Sequence, residues 1–364
     1  MTNSERRRND LFINEPAILI PSFQPSNVLV KLVQNLRHRG CCNICVVDDG
    51  SGSDFLPIFS AVEAEGCSLV RHEQNRGKGA ALKSGIAALR QGNPTLSGVV
   101  TADGDGQHTP EDIARVARAL TQSPNSLVLG IRDFRSQNVP IKSRFGNHFS
   151  SAYFRLTTGT SCPDTQTGLR GIPNCLFSLA LSTSGDRYEY EMQFLTAVVQ
   201  ERRTIRFLPI QTVYLNRNTA SHFRPIADSI RIYRTPLRYV SSSLLCAGVD
   251  VGLFTLLAET LPNGIWSRVL VATAAARVTS GLVNFSLNRR WAFQSRKARG
   301  QAGKYAALFL FQMGMSSLLV SCLSRLPLPL TLIKILVDCV LFLFSYLAQR
   351  NWVFRPKFTE EKER

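Results

Sequence analysis

Acidic side chains are scarce in this sequence, which has 26 Asp and Glu against 43 Lys and Arg and a formal net charge of +17 over 364 residues. Such an imbalance suits nucleic acid, an anionic membrane surface or a phosphorylated substrate. We disfavour nucleic acid because much of the basic charge lies in turns beside long apolar runs. The sequence also lacks a signal-peptide core near its start, where AILIP (17–21) is too short, so no cleaved secretory signal is expected.

A second Cys-x-x-Cys pair is missing as well. Cys42 and Cys45 form a lone pair of this spacing among nine scattered cysteines. Zinc binding or redox work is one interpretation of such a pair, and structural packing is the other. We favour packing because ICVVDD (44–49) has the composition of a buried strand. Reduced thiols of this kind are typical of a cytosolic setting.

The first 235 residues or so alternate short apolar runs with helical patterns. Strand candidates include AILIP, NICVVDD (43–49), LSGVVTAD (96–103) and SLVLG (126–130). The repeated β-α order predicts a mostly parallel sheet with helices on both faces. Ligands of such sheets bind at the carboxyl ends of the strands. The polar motifs fall at these ends: PSFQPS, DDGSGSD, NRGKG, DGDGQH and GIRDF.

The motif ADGDGQH (102–108) places Asp103 and Asp105 on one tight turn. Two short carboxylates can hold a hard divalent cation together with phosphate oxygens, and the flanking glycines allow close backbone approach. A solvated surface turn is the alternative. His108 is either a further metal ligand or a residue that supports the turn, and we favour the supporting role.

Three motifs, VVDDGSGSD, NRGKGAALKSGI and DGDGQHTPEDI, resemble in order and spacing the family-2 inverting glycosyltransferases of GT-A fold, especially the dolichol-phosphate-mannose synthase type. The resemblance implies a Rossmann-like α/β GT-A domain with a mostly parallel sheet over residues 15–222. It further implies transfer of glucose, mannose or a similar sugar from a UDP- or GDP-sugar to a polyprenyl phosphate, with Mg²⁺ or Mn²⁺ as cofactor. No Gln-x-x-Arg-Trp motif is present, which argues against a processive synthase.

The same resemblance implies four overlapping groups of site residues. The catalytic candidates are Asp103, Asp105 and Arg132. The candidates for holding the nucleotide sugar are Pro21, Phe23, Asp48, Asp49, Lys78 and Asp103. The candidates for gripping the acceptor phosphate are Arg132, Arg144, Arg170, Arg217 and Ser221. The metal candidates are Asp103, Asp105 and Gln107.

The loop after Pro21 carries no carboxylate where the family usually has one, so nucleotide contact there would come from backbone or amide groups. Asp164 is expected to orient arginines or the sugar. Glu189 and Glu191 are candidates for a catalytic base, but an anionic phosphate acceptor needs no strong base, so positioning or structure is the favoured role for both.

The C-terminal third is far more apolar and contains four spans near 239–261, 269–287, 305–323 and 326–348, each long enough to cross a bilayer. The basic loop after the second span places the head, both termini and that loop in the cytoplasm by the positive-inside rule. We therefore predict an integral membrane protein. Its expected segments are an N-terminal tail (1–14), a basic juxtamembrane linker (223–238), a four-helix transmembrane domain (239–354) and a C-terminal tail (355–364).

An internal repeat supports this organisation, because ARVTSGLVNFSLNRRWAF (276–293) overlays VDCVLFLFSYLAQRNWVF (337–354). This paired signature resembles the GtrA-like four-helix domain, whose members are linked to polyprenyl-phosphate sugars, some regarded as flippases. A flippase for lipid-linked sugar, or transfer to another lipid or glycan, is therefore the alternative function. Charges within the spans are expected to pair inside the bundle: Asp250, Arg277, Lys334 and Asp338. The sequence leaves homo-oligomerisation open.

Overall fold

The computed structural model describes residues 16–134, 139–211, 233–260, 268–295, 300–323, 326–328 and 330–354. They fall into two compact units, one within Met1–Ile232 and one within Tyr233–Arg364. Two predicted acceptor contacts, Arg217 and Ser221, lie outside the described residues, as do both predicted tails and most of the predicted linker.

Unit 1 is built on a seven-stranded sheet with the order β3-β2-β1-β4-β6-β5-β7. Its strands are β1 (Ala17–Ser22), β2 (Ile44–Asp48), β3 (Ser68–Arg71), β4 (Gly98–Thr101), β5 (Ser126–Arg132), β6 (Arg170–Pro173) and β7 (Thr204–Ile210). β1 pairs in parallel with β2 and β4, β2 with β3, and β5 with β7. The predicted mostly parallel sheet is therefore confirmed.

Two of the seven strands, β6 and β7, were not predicted. β6 lies between β4 and β5 and runs antiparallel to both, with Thr101 opposite Arg170. Four residues beside the TGLR turn, RGIP, carry too little alternation to stand out as a strand. The antiparallel direction has a consequence for the site, because the end of β4 meets the beginning of β6.

Helices cover both faces of the sheet, and the sheet divides the hydrophobic core into two clusters. One core receives Leu19 and Val47, and the other receives Ile18 and Val46, as the alternation of a strand requires. The helices of unit 1 are α1 (Val28–His38), α2 (Leu56–Ala64), α3 (Lys78–Gly92), α4 (Pro110–Gln122), α5 (Ile141–Thr158), α6 (Phe177–Ser182) and α7 (Glu189–Gln200). Helix α4 begins at a Thr-Pro pair, which is a sequence signature of a helix start: the Thr109 hydroxyl accepts from the Asp112 amide and Pro110 is the first helical residue.

The cysteines are all free thiols. Cys45 lies in β2 and is only 1% exposed, whereas Cys42 is exposed. Burial raises the pKa of the Cys45 thiol, which favours the inert protonated form. Among the residues that the structure describes, no three His, Cys, Asp or Glu side chains group as ligands for an ion. Of the pair expected to pack, Cys45 lies in the hydrophobic core, whereas the exposed Cys42 does not.

The described part of unit 2 is helical. It contains α8 (Arg234–Thr260), α9 (Arg268–Leu287), α10 (Gln301–Leu323) and α11 (Leu330–Ala348). Within these described stretches, Arg234–Leu257 and Gln301–Leu323 are long and apolar enough to cross a membrane by length and composition. Four membrane spans stay a prediction.

The internal repeat is visible in the backbone. Both α9 and α11 continue into a five-residue π-helical turn, Asn288–Ala292 and Gln349–Val353, at positions that the sequence overlay equates. Their first residues contact each other, because the Asn288 side-chain amide donates to Gln349 Oε1 at 2.9 Å. Both side chains are buried. The two repeats therefore meet at equivalent positions.

Candidate active site

The loop after β4 presents Asp103 at the carboxyl edge of the sheet, and its carboxylate has two cationic or polar neighbours. Lys78 Nζ lies 2.6 Å from Asp103 Oδ1, and His108 Nε2 lies 3.3 Å from Asp103 Oδ2. Burial alone would raise the pKa of Asp103, but Lys78 and His108 hold it well below its usual range. The side chain is nevertheless 30% exposed, so Asp103 is a solvent-accessible carboxylate that stays ionised.

Asp105 stands close enough to Asp103 to be affected by its charge. Burial, followed by the charge of Asp103, raises the pKa of Asp105 above its usual value. One Asp105 oxygen accepts from the Gln107 amide at 3.0 Å, which shapes the turn. Two like charges held this near each other favour a cation between them. His108 contacts Asp103, and its supporting role stays a prediction.

Lys78 is the first residue of α3 and bridges two acids. Its ammonium lies 2.6 Å from Asp103 and 3.2 Å from Glu191 Oε1. Burial alone would lower the pKa of Lys78, but the two carboxylates raise it well above its usual range. Glu191, on α7, therefore faces the site through Lys78. Glu189 instead accepts from the amides of Asp186 and Arg187 at 3.2 and 3.3 Å, which stabilises the start of α7.

Asp49 fixes the turn that carries Lys78. Its carboxylate accepts from the amides of Arg76 and Gly77 at 2.9 and 2.7 Å, and its Oδ1 lies 2.7 Å from His72 Nδ1. Asp49 is only 3% exposed. Asp49 thus braces this turn, and its predicted nucleotide contact stays a prediction. His72, one residue past β3, was missed because a lone histidine carries little signal without its partners.

The remaining donor-side residues line the ends of β1 and β2. Pro21 pairs with Val47 inside the sheet, while Phe23 follows the strand and is half-buried. The Asp48 carboxylate is buried and accepts from the Ser51 amide at 2.9 Å. Their predicted contacts with a nucleotide stay predictions.

The segment at residues 162–173, the predicted acceptor segment, centres on an ion pair. Arg132 donates from Nε to Asp164 Oδ2 at 2.8 Å and from Nη2 to Oδ1 at 3.0 Å, a two-pronged contact. Asp164 is fully buried and Arg132 is 20% exposed, so the guanidinium is held at the surface in a fixed direction. The prediction that Asp164 orients an arginine is confirmed. Arg144 lies exposed on α5.

Arg170 is a correction to the sequence analysis. It is 2% exposed, and its guanidinium donates to three backbone carbonyls, those of Thr165, Thr167 and Glu191, at 3.3, 2.9 and 2.7 Å. These hydrogen bonds hold the acceptor segment against α7, and the buried guanidinium is not exposed to bind a phosphate. The residue type alone could not distinguish a buried arginine from an exposed one.

Gly168 completes the site and was not singled out from the sequence. Because β6 runs antiparallel to β4, the turn before β6 lies over Asp103. A Cβ at position 168 would lie 2.3 Å from Asp103 Oδ2. Thr101 fixes this approach, since its hydroxyl donates to the Gly168 carbonyl at 2.8 Å. The acceptor segment and the acidic turn are therefore in direct contact.

The donor set suits a hard divalent cation. Carboxylate oxygens at Asp103 and Asp105 are the ligands that Mg²⁺ and Mn²⁺ prefer. As no complete cluster of protein ligands exists among the described residues, substrate oxygens would have to supply the rest of the coordination shell. This is the usual arrangement for Mg²⁺ bound with a nucleotide phosphate. Gln107, the third predicted ligand, reaches Asp105 through its backbone amide.

Comparison with known proteins divides the chain as the two units do. Residues 17–177 match the family model described as glycosyl transferase family 2, and residues 238–354 match that of the GtrA/DPMS transmembrane domain. The chain is 28% identical over 223 residues to a UDP-N-acetylglucosamine–dolichyl-phosphate N-acetylglucosaminyltransferase of Methanococcus voltae, covering 56% of this chain and 87% of that protein.

Two further similarities are more distant. Glycosyltransferase AglJ of Haloferax volcanii is 25% identical over 282 residues, covering 73% of this chain and 88% of the relative. The crystal structure of glucosyl-3-phosphoglycerate synthase from Mycobacterium tuberculosis in complex with uridine diphosphate is 17% identical, with a TM-score of 0.47, and covers 65% of this chain and 82% of that chain.

Proposed function

We propose that this chain, which joins a glycosyl transferase family 2 domain to a GtrA/DPMS transmembrane domain, moves a sugar from a UDP- or GDP-sugar to a polyprenyl phosphate at the cytoplasmic face of a membrane. The observation that carries the proposal is the contact between the acidic turn of Asp103 and the segment containing Asp164 and Gly168. This contact supports one site in which Asp103 would face the donor and the segment that orients Arg132 would face the acceptor.

On the donor side, Asp103 and Asp105 would hold Mg²⁺ or Mn²⁺. The cation would offset the negative charge that builds on the departing nucleotide diphosphate. Lys78, fixed at the start of α3 by the Asp49 brace, supplies a further positive charge to the donor site. Pro21, Phe23 and Asp48 would border the base and ribose.

On the acceptor side, Arg132 would receive the phosphate. Its guanidinium is held by Asp164 and so keeps one orientation, which lowers the entropy lost on binding. A phosphate oxygen is already anionic, and attack on the anomeric carbon from the side opposite the leaving diphosphate inverts the configuration. No side chain has to remove a proton. This agrees with the engagement of Glu191 by Lys78.

The direct test uses the full chain purified in detergent. Polyprenyl phosphate and a panel of radiolabelled UDP- and GDP-sugars are supplied with and without EDTA. We expect a labelled lipid from at least one donor and loss of that product with EDTA. Labelled product at an equal rate with the chelator, or from no donor, would contradict the proposal.

Substitution of Arg132 by lysine tests the acceptor contact. A lysine keeps the charge but cannot make the two-pronged contact with Asp164. We expect the KM for polyprenyl phosphate to rise about ten-fold while the KM for the nucleotide sugar changes little. The control is Arg206→Lys on β7, where an exposed arginine donates to Ser123 Oγ at 2.9 Å. Equal acceptor KM values in the two variants would remove Arg132 from the acceptor site.

A groove in unit 2 favours a second role, in which the helices bind a lipid-linked sugar. It measures about 790 Å³ and is bordered by all four helices of the unit. Arg277 Nε lies 3.6 Å from Asp250 Oδ2, and Ser280 Oγ donates to Asp250 at 3.0 Å. Asp338 accepts from Ser316 at 3.1 Å. Charged side chains that line a groove between apolar helices are costly in a membrane and commonly mark a functional path.

Substitution of Arg277 by alanine tests this second role. Asp250 then keeps only its contact with Ser280 among those described. We expect transfer to full-length polyprenyl phosphate in liposomes to fall several-fold, about five-fold or more, because the helices no longer accommodate the lipid head group. Transfer to a short-chain acceptor in detergent should stay unchanged. Thr255→Val, a substitution of an exposed α8 hydroxyl, is the control. Unchanged assembly and activity in both assays would exclude the role.

A further inference from the structure

Lys78 occupies an unusual place for a side chain that is expected to meet a substrate. It lies between two carboxylates and is nearer to Asp103, which is also the predicted ligand of the cation. An ammonium 2.6 Å from a carboxylate oxygen and a divalent cation on the same oxygen repel each other strongly. Lys78 and the cation therefore compete for Asp103.

The second partner shows where the lysine can go. Glu191 Oε1 lies 3.2 Å from the Lys78 ammonium, and the Glu191 side chain is only 10% exposed. Arg170 holds this part of α7 in place by donating to the Glu191 backbone carbonyl at 2.7 Å. A small rotation of the lysine side chain would transfer it from Asp103 to Glu191 without leaving a buried charge unpaired.

The backbone around Lys78 does not move easily. The preceding Gly77 has φ +101°, and its amide donates to Asp49 at 2.7 Å. A Cβ on the neighbouring Gly79 would lie 2.5 Å from Tyr190 Cβ, so α3 and α7 are in close contact there. The exchange of partners is therefore confined to the lysine side chain.

We propose that Lys78 is the counter-ion of Asp103 in the donor-free enzyme and that the cation binds Asp103 tightly only together with the nucleotide diphosphate. When both bind, the lysine side chain moves from Asp103 toward Glu191 and the phosphates of the nucleotide. The inference rests on the proposed function for the identity of the donor. It makes Glu191 a positioning residue that acts through Lys78. It also predicts positive coupling between metal and nucleotide binding.

The test measures Mn²⁺ binding to the full chain by electron paramagnetic resonance, with and without UDP, and needs no acceptor or turnover. Lys78→Met should raise the nucleotide-free affinity for Mn²⁺ about ten-fold and reduce the gain that UDP brings. The matched control is Lys83→Met, which removes a lysine on the same helix that pairs with Asp186 at 2.7 Å. It should leave both affinities as in the parent.

Glu191→Gln tests the second partner. In the parent background it should lower the nucleotide-free affinity for Mn²⁺ several-fold, about three-fold or more, because the lysine then has only Asp103. In the Lys78→Met background the same change should have a much smaller effect, since its route through the lysine is gone. If Lys78→Met does not fold, as judged by its melting temperature, Lys78→Gln replaces it.

Unchanged or weaker nucleotide-free Mn²⁺ binding in the uncharged Lys78 variant would overturn the inference, as would equal effects of Glu191→Gln in both backgrounds. The sugar-transfer assay is independent of these titrations. If Mn²⁺ and UDP binding are coupled as expected but no labelled lipid forms, the inference stands and the proposed acceptor is wrong. A chain that forms product without the coupling keeps the function and loses the inference.

Discussion

Substitution of Asp103 by asparagine is expected to lower sugar transfer about a thousandfold, because the amide removes the negative charge that a cation, Lys78 and His108 all approach. The shape of the side chain is preserved, so the change isolates charge from packing. Product formation from the radiolabelled donor gives the rate. Mn²⁺ titration in the presence of UDP shows whether the loss follows from metal binding, which should weaken in parallel.

Asp54→Asn is the matched control for this result. Asp54 lies on the polar turn after β2, is exposed, and its nearest described hydrogen-bond donor is Ser53 Oγ at 3.4 Å. The same chemical change at this edge of the sheet should leave the rate within about two-fold of the parent. A normal rate and normal Mn²⁺ binding in Asp103→Asn would mean that the acidic turn does not serve the reaction.

Asp105→Asn separates the two acids. Its carboxylate has the higher pKa of the two, because it is buried and lies near the charge of Asp103. If the carboxylates of Asp103 and Asp105 bind the same cation, Asp105→Asn should weaken Mn²⁺ binding strongly, but less than Asp103→Asn does.

Much of unit 1 was predictable because the signals are local. Apolar runs followed by glycine-rich turns identify parallel strands and place Asp103 and Asp105 at their carboxyl edge. The Thr109-Pro110 pair likewise identifies the first turn of α4. Each of these depends on a few neighbouring residues, and the structure adds only their arrangement in space.

Side-chain roles that depend on distant partners were harder to predict. Asp49 and Arg170 stand in motifs that favour ligand contact, yet both are buried and bonded to backbone groups of the protein. A carboxylate or guanidinium serves a substrate or a loop equally well in chemical terms, and burial decides between them. Arg170 is buried because it begins β6, a strand that the sequence pattern did not reveal, and Asp49 is buried against the turn at Arg76 and Gly77.

Gly168 offers the strictest test of that unpredicted strand, because its role depends entirely on the antiparallel contact of β6 with β4. Gly168 is not among the described glycines with a positive φ, so alanine is compatible with the backbone there. The added methyl group, however, would lie 2.3 Å from Asp103 Oδ2 and 2.8 Å from Asp103 Cγ. Because the site is closely packed, either the Asp103 carboxylate must turn away from Lys78 and His108, or the turn before β6 must move away from β4.

We therefore expect Gly168→Ala to lower sugar transfer about a hundredfold and to weaken Mn²⁺ binding with UDP, while the melting temperature falls only modestly. Gly146→Ala, on α5, makes the same substitution where the nearest atom, Gln166 Oε1, is 4.0 Å away, and should leave the rate near that of the parent. Equal rates in the two variants would show that the turn before β6 does not constrain Asp103. A reduced rate in Gly168→Ala alone would mean that the reaction needs a residue without a side chain at position 168, where the acceptor segment contacts the acidic turn.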